Sequence, residues 1–300
     1  LAMLGICLTL LPLAPGLFWV LSPAINADTW LELFRDSQFS SALIGTISSA
    51  IGSTLLALIA ASLVTIWLYP GKGWSLAQRQ LPLFLAFPHI AFAIGIAFLV
   101  APSGWLARGL ANILEWTSPP QWISIRDPYA ISLTLTMAIK ETWFLLWIMA
   151  TLLGEQAISR QITLANSLGY SRKQVWITAL FPQLLPRMGW PLVAVLAYSL
   201  SVVDMAVILG PSTPPTLAVL SWQWLTDPNE MTQAKGSAAA MCLMLLLAVL
   251  ILIGRIAWWG IKKLYKNPNG VRKKGGVFNS NILSDKFLKK LFTEIYPPDC

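Results

Sequence analysis

The chain has 300 residues, of which 56% are hydrophobic and only 11% are charged. Soluble globular proteins carry about a quarter of charged residues, so this composition excludes an ordinary soluble domain and predicts an all-α membrane protein. The net charge of +8 lies mainly in alternate loops and in the C-terminal part, a pattern that argues against a nucleic-acid-binding surface.

Six apolar runs follow one another along the chain, each about long enough to cross a bilayer as a helix. The first occupies residues 1–21 and contains Pro12 and Pro15, which are expected to kink it. The other five predicted spans are residues 41–68, 82–101, 129–153, 190–210 and 234–260. Residues 261–300 are basic and lose hydrophobic periodicity, so we expect a poorly ordered tail.

Basic residues are distributed unequally between the two sides that six spans would define. The loop before the third span, the loop before the fifth span and the tail hold most of the 21 Lys and Arg residues. By the positive-inside rule these segments are cytoplasmic. The pattern therefore predicts a multi-pass protein of the bilayer with both termini in the cytoplasm.

The loop of residues 154–189 interrupts the apolar pattern with a predicted helical hairpin. Gly169 can adopt a positive φ and close the first helix. Ser171 can cap the N-terminus of the second helix, and Pro182 and Pro186 are expected to end or kink it. A short hairpin that projects into water from a membrane protein suits docking to a soluble partner.

This loop resembles the EAA loop of bacterial ABC importer permeases. The family pattern is Glu-Ala-Ala, three residues, Gly, nine residues, Ile, any residue, Leu-Pro. Ala165 matches the second Ala, Gly169 the Gly, and Pro182 the Pro. The spacing between the Gly and the Pro is the part of the motif that this chain keeps.

Four positions depart from the same pattern. Thr163 and Leu164 replace the Glu and the first Ala, Ala179 stands where Ile is usual, and Phe181 stands where Leu is usual. The missing Glu removes the polar contact that this residue would make to the ATPase in relatives.

The resemblance implies a six-helix permease of the type I ABC importer (MetI-like) fold, with its core at residues 40–260. Its implied partners are a cytoplasmic ABC ATPase subunit, a periplasmic substrate-binding protein and a second permease half, in the bacterial inner membrane. Gly169→Asp is then expected to abolish transport without preventing membrane insertion. The ATPase contact is expected to use an apolar group and a basic rim: Leu168, Tyr170, Val175 and Trp176, with Arg172 and Lys173.

Residues 201–228 resemble the fifth span and the following loop of permeases related to ferric-iron and thiamine importers. Some relatives in this family join two six-helix halves in one chain. The lack of an initiating Met fits an incomplete chain, and we expect this chain to be the first half of such a permease, or a truncated form of one. The resemblance does not identify the substrate.

Polar residues within the predicted spans mark interior surfaces, because a central charge in a bilayer costs about 2.5–3.5 kcal/mol on insertion scales. Lys140 and Glu141 lie in the fourth span, and Tyr198 and Asp204 lie in the fifth. Two interpretations stay open. Either these groups fix helix packing, for example through a Lys140–Asp204 pair, or they line a substrate path.

An alternative function follows from the same charges. An ion-coupled secondary transporter would use Lys140, Glu141 and Asp204 to carry charge and would need no ATPase. For His89, a capping or interfacial role at a helix end is expected.

The chain shows no constellation for catalysis or for a metal site. Its three cysteines, Cys7, Cys242 and Cys300, have no ligand spacing, and His89 is its one histidine. The sequence contains no P-loop. We therefore predict a transport subunit that is not an enzyme and holds no cofactor, with ATP bound by a separate partner.

Overall fold

The computed structural model describes residues 14–116, 118 and 124–266, and every regular element in these ranges is a helix. The membrane part and its connections are α1 Ala14–Ile25, α2 Ala27–Arg35, α3 Phe39–Leu68, α4 Lys72–Ala86, α5 His89–Val100, α6 Trp105–Leu114 and α7 Ile131–Leu153. The hairpin follows as α8 Gln156–Ser167, α9 Arg172–Val175, a π-helical turn Trp176–Leu180 and α10 Phe181–Arg187. The last helices are α11 Gly189–Ser201, α12 Asp204–Leu209, α13 Leu217–Leu225 and α14 Glu230–Lys266.

In the described residues, four helical regions are long and apolar enough to cross a membrane. They are Phe39–Leu68, His89–Ala111, Ile131–Leu153 and Glu230–Gly260, and the second contains a non-helical break at residues 101–104. Two shorter apolar helices are Ala14–Ile25 and Gly189–Ser201. The predicted second, fourth and sixth spans are therefore present as long helices, whereas the count of six remains a prediction.

The centre of the fold is the packing of α3 against α7. One face of α3 consists of small residues, and Ala50, Ala57 and Ala61 on this face are fully buried. Gly52 lies so close to α7 that an added Cβ would approach the Thr134 methyl group to 3.0 Å. Small residues allow helix backbones to approach closely in a bilayer, where the gain comes from van der Waals packing.

Two predicted spans are broken, which corrects the sequence interpretation. The third is divided at Phe87 and Pro88, between α4 and α5, because Pro88 has no N–H and disfavours a helical conformation of the residue before it. The fifth is divided at Val202 and Val203, between α11 and α12. Adjacent β-branched residues weaken the helix there, and Asp204 is favourable in the first turn of a new helix.

The structure describes the two ends of the chain only in part. Residues 1–13 of the first predicted span, with Pro12, lie outside the described residues, as do residues 267–300 of the predicted tail. Helix α14 continues to Lys266. Its apolar, span-length part, Glu230–Gly260, ends where the sixth predicted span ends, and the helix continues through the first basic residues of the predicted tail.

On the side that the charge pattern assigns to the periplasm, α2 is attached to α14 by a partly buried ion pair. Lys235 Nζ lies 2.7 Å from Asp36 Oδ2 and 4.3 Å from the centre of the Trp224 ring on α13. The lysine thus contacts an anion and an aromatic face at once, and it joins three helices at this end.

The start of α7 is fixed by Asp127, which is 6% exposed. Its carboxylate accepts hydrogen bonds from the backbone N–H groups of Ile131 at 2.6 Å and Ser132 at 2.9 Å. Burial disfavours the ionised form, but these bonds and the Ser132 hydroxyl at 2.6 Å outweigh it, so the pKa of Asp127 is lowered. The carboxylate satisfies N–H groups that the first helical turn leaves unpaired.

We expect Asp127→Ala to lower the free energy of unfolding by about 2–3 kcal/mol, because a cap and a charge-assisted bond are lost together. Since the folded-state pKa is lowered, this stabilisation is present above the unfolded pKa of about 3.9 and is lost as pH falls through the folded value. Thermal unfolding in detergent at neutral pH measures the difference. Asp127→Asn, which keeps one acceptor oxygen, should cost less; equal stability of all three proteins would contradict the capping role.

Candidate functional site

The turn between α8 and α9 has the geometry that the sequence predicts. Gly169 has a φ of +81°, and the Tyr170 N–H donates to the Ala165 carbonyl oxygen at 3.1 Å. This 6→1 bond with a left-handed residue before its donor is a Schellman motif. An added Cβ would meet no atom within 4 Å, so lack of space is not the reason for glycine at this position. The reason is the positive φ, which other residues rarely adopt.

The second helix of the hairpin begins with a capping box. The Gln174 N–H donates to Ser171 Oγ at 3.3 Å, and the Ser171 N–H donates to Gln174 Oε1 at 3.0 Å. The two residues thereby satisfy each other's free N–H groups. The predicted cap is confirmed, and both ends of the connection are fixed by local bonds.

The two prolines, which the sequence predicts to end or kink the second helix, do not end it at Pro182. The helical path continues through Pro182 and ends after Arg187, and Pro186 lies inside α10. The π-helical turn Trp176–Leu180 precedes Pro182. Proline is tolerated at the start of a helical segment, where its missing N–H would have no partner.

One side of the hairpin is buried in the core at the ends of α3, α4 and α7. The buried hairpin residues in this cluster are Ile158, Ile162, Ala165, Val175, Trp176, Leu180, Leu184 and Met188. Val175 and Trp176 are 6% and 4% exposed, which differs from the predicted contact surface. Their apolar side chains hold the hairpin to its own chain, so they are not available to a partner in this conformation.

The other side of the hairpin is apolar and open. Leu164, Leu168 and Ile177 are 59%, 62% and 55% exposed. Arg172 and Lys173 of the same hairpin are also exposed, and Tyr170 is half-buried and packs on the core cluster. We call Leu164, Leu168, Ile177, Arg172 and Lys173 the hairpin surface.

Polar contacts close the base of the hairpin, attach it to the end of α3 and join the ends of α3 and α7. Arg187 Nη1 lies 2.6 Å from Glu155 Oε2, which closes the base of the hairpin. Arg172 donates to the Trp67 carbonyl oxygen at 3.4 Å, near the end of α3, and the Tyr69 hydroxyl donates to the Leu153 carbonyl oxygen at 3.3 Å. These contacts join the hairpin to the end of α3, and the ends of α3 and α7 to each other.

A second group of polar residues surrounds the break between α4 and α5. Lys140 is 4% exposed, and its ammonium donates to the Phe84 carbonyl oxygen at 2.7 Å. In an unbroken helix this carbonyl would accept from the N–H of residue 88, but Pro88 has none. Lys140 therefore supplies the donor that the proline cannot, at a helix C-terminus where a cation is favourable.

Glu141 contacts the other side of the same break. Its Oε1 lies 3.2 Å from His89 Nε2, and His89 is the first residue of α5. A carboxylate is favourable near the N-terminus of a helix. The adjacent residues Lys140 and Glu141 of α7 thus bind the two ends of one broken helix, each with the charge that its end favours.

Asp204 lies on a separate element, but close enough to Tyr198 to act on it electrostatically. It begins α12, beyond the break in the fifth span. The ion pairs within the described residues are His89–Glu141, Arg187–Glu155 and Lys235–Asp36, so the proposed Lys140–Asp204 pair is replaced by the bond of Lys140 to Phe84.

Tyr198 completes the polar group. Its ring packs on the His89 ring with centroids 4.6 Å apart, and its buried hydroxyl has no hydrogen-bond partner within the described part of the chain. A cavity of about 300 Å³ adjoins these residues. Its lining consists of Leu85, His89, Lys140, Glu141, Phe144, Ala194, Val195 and Tyr198.

Sequence reasoning identified Lys140, Glu141 and Tyr198 but missed the role of Pro88. The signal was present, because a proline inside an apolar run leaves the carbonyl four residues earlier without its helical donor. A buried lysine elsewhere in the chain is a suitable donor for such a carbonyl. His89 is at a helix end, as expected, but it also contacts the buried Glu141.

Comparison with known proteins provides one curated relative, and no family model matches the chain. Over 262 residues the chain is 41% identical to the "Inner membrane ABC transporter permease protein YnjC" of Escherichia coli (strain K12). The aligned region covers 87% of this chain and 50% of the relative. The chain therefore spans about half the length of the curated relative that it matches.

Proposed function

The chain is homologous to an ABC transporter permease, and on this premise we propose that it is the permease subunit of an ATP-driven, binding-protein-dependent importer of the bacterial inner membrane. A separate ATPase binds and hydrolyses ATP on the cytoplasmic side. A periplasmic binding protein delivers the solute, and a second permease half completes the pathway, either fused to this chain, as a sister subunit or as an identical one.

The observation that carries the proposal is the hairpin, which joins an exposed apolar surface to the transmembrane core. The Schellman turn at Gly169 and the capping box at Ser171 fix its shape. The hairpin surface exposes Leu164, Leu168 and Ile177 to a partner. Exposed apolar side chains rimmed by cations are typical of a docking site.

Coupling then requires that the ATPase favours one arrangement of the permease over another. A ligand shifts an equilibrium only by the difference between its affinities for the two states. Because buried hairpin residues pack on α3, α4 and α7, a shift of the hairpin changes the packing of these helices. The solute path alternates between the two faces of the membrane as a result.

The secondary-transporter alternative has less support. Lys140 and Glu141 each contact one end of the broken helix, which gives their charges a packing role. Asp204 belongs to a separate element. The homology to an ABC permease also favours ATP-driven transport over ion-coupled transport.

The proposal is tested by co-purification from mild detergent with mass spectrometry. We expect an ABC ATPase to accompany the wild-type chain and its capture to fall about tenfold or more in Leu168→Glu, which places a charge in the apolar contact. Leu168 is exposed, so the fold should persist. Leu31→Glu is the matched control, since Leu31 is 51% exposed on α2, and it should retain the ATPase. Equal capture by both variants would count against the hairpin as the docking element.

A further inference from the structure

The cavity beside the α4–α5 break carries opposite charges on one wall. Lys140 and Glu141 both line it, and they are only 4% and 6% exposed. The rest of the lining is mainly apolar, including Leu85, Phe144 and Val195. At about 300 Å³ the cavity is at the lower end of the range for small-molecule sites, roughly 300–1,000 Å³.

Lys140 and Glu141 can each form more hydrogen bonds than the one that holds an end of the broken helix. An ammonium group has three N–H donors, and a carboxylate can accept several hydrogen bonds through its two oxygens. Lys140 donates one hydrogen bond to the Phe84 carbonyl oxygen, and Glu141 Oε1 lies within hydrogen-bond distance of His89 Nε2. Both groups can therefore bind a ligand and still hold the helix ends.

Tyr198 gives an independent indication of a ligand. A buried hydroxyl without a partner costs about 1–3 kcal/mol, and the Tyr198 hydroxyl is such a group within the described residues. It belongs to a residue of the cavity wall, and the ring is held by its contact with His89. A ligand that hydrogen-bonds to this hydroxyl would remove the penalty.

We propose that this cavity binds a small zwitterionic solute of the amino-acid class. Its carboxylate lies toward the Lys140 ammonium, and its ammonium lies toward Glu141 and the Tyr198 hydroxyl, whose oxygen can accept a hydrogen bond from it. The inference rests on the proposed function, because it gives the chemical class of the solute that the permease moves.

The same wall discriminates against other solutes. A simple cation would be attracted by Glu141 but repelled by Lys140. A simple anion would be attracted by Lys140 but repelled by Glu141. Unpaired or repelled charges beside the buried Lys140 and Glu141 lower affinity. The apolar side chains and the limited volume restrict the solute to a small side chain.

The test measures binding to the purified chain in detergent, without an ATPase. Thermal unfolding is followed with glycine, alanine and β-alanine as probes, and with acetate, propionate, methylammonium and ethylammonium as singly charged counterparts. A ligand that binds only the folded state raises the unfolding temperature with concentration. We expect a rise with at least one zwitterion and none with the counterparts at equal concentration and ionic strength.

Two tyrosine variants locate the effect. Tyr198→Phe removes only the hydroxyl and should weaken the apparent affinity of the zwitterion about five- to tenfold, as expected for one buried hydrogen bond. Tyr129→Phe is the matched control, because Tyr129 is 78% exposed, and it should bind as the wild type does. An unchanged affinity in Tyr198→Phe would overturn the assignment of the site.

The outcomes separate this inference from the importer function. No stabilisation by any zwitterion, or equal stabilisation by a singly charged counterpart, would overturn the solute class even if the ATPase co-purifies. Stabilisation by a zwitterion that Tyr198→Phe weakens would support the cavity even if no ATPase is captured, in which case only the importer proposal fails.

Discussion

Gly169→Val is expected to abolish ATPase capture and transport while the chain still enters the membrane in normal amount. Gly169 has a φ of +81°, a conformation that costs a β-branched residue about 1–3 kcal/mol. No neighbouring atom lies within 4 Å of the added Cβ. The effect must therefore arise from the backbone of the turn, which would abandon its Schellman bond and reorient the hairpin surface.

Gly189→Val is the matched control for this prediction. Gly189 also has open space around its Cβ position but has no positive φ, and it is the first residue of α11. The two substitutions are identical in chemistry and differ in backbone conformation. We expect Gly189→Val to keep the ATPase, and a comparable loss in both variants would show that the φ of residue 169 is not the cause.

The shape of this hairpin was predictable from the sequence because its determinants are local. A positive-φ glycine and a serine cap act within a few residues of their own positions, so Gly169 and Ser171 could be identified without the fold. The burial of Val175 and Trp176 was not predictable in the same way. It depends on which face of the hairpin meets α3 and α7, and this is a property of the tertiary packing.

The apolar runs show the same division between local and distant causes. Composition predicts α3, α7 and α14, since each is a long run that can satisfy its backbone groups only as a helix in a bilayer. The hydropathy pattern does not predict the breaks at Pro88 and at Val202–Val203, because apolar residues continue across both. The partners of Lys140 and Glu141 also escaped prediction, because they lie more than 50 residues away in sequence.

The second large effect, a loss of stability, is expected when Lys140 is replaced. Lys140→Met should lower the free energy of unfolding by about 2–4 kcal/mol, because it leaves the Phe84 carbonyl oxygen buried without a donor and removes a positive charge beside Glu141. Methionine is apolar and of similar length, so the loss of packing is small. The measurement is thermal or denaturant unfolding of the purified chain in detergent.

Pro88→Ala distinguishes this explanation from a general intolerance of substitution at Lys140. Alanine restores an N–H four residues after Phe84, which can donate to the carbonyl that Lys140 otherwise satisfies. In the Pro88→Ala background, Lys140→Met should therefore cost about half as much or less, and the double-mutant cycle reports the coupling directly. Lys235→Met is the control, because Lys235 pairs with Asp36 at a different place and its effect should add independently to that of Pro88→Ala. If Lys140→Met costs as much in the Pro88→Ala background as in the wild type, the lysine does not serve the helix break, and its burial must be explained by the solute cavity alone.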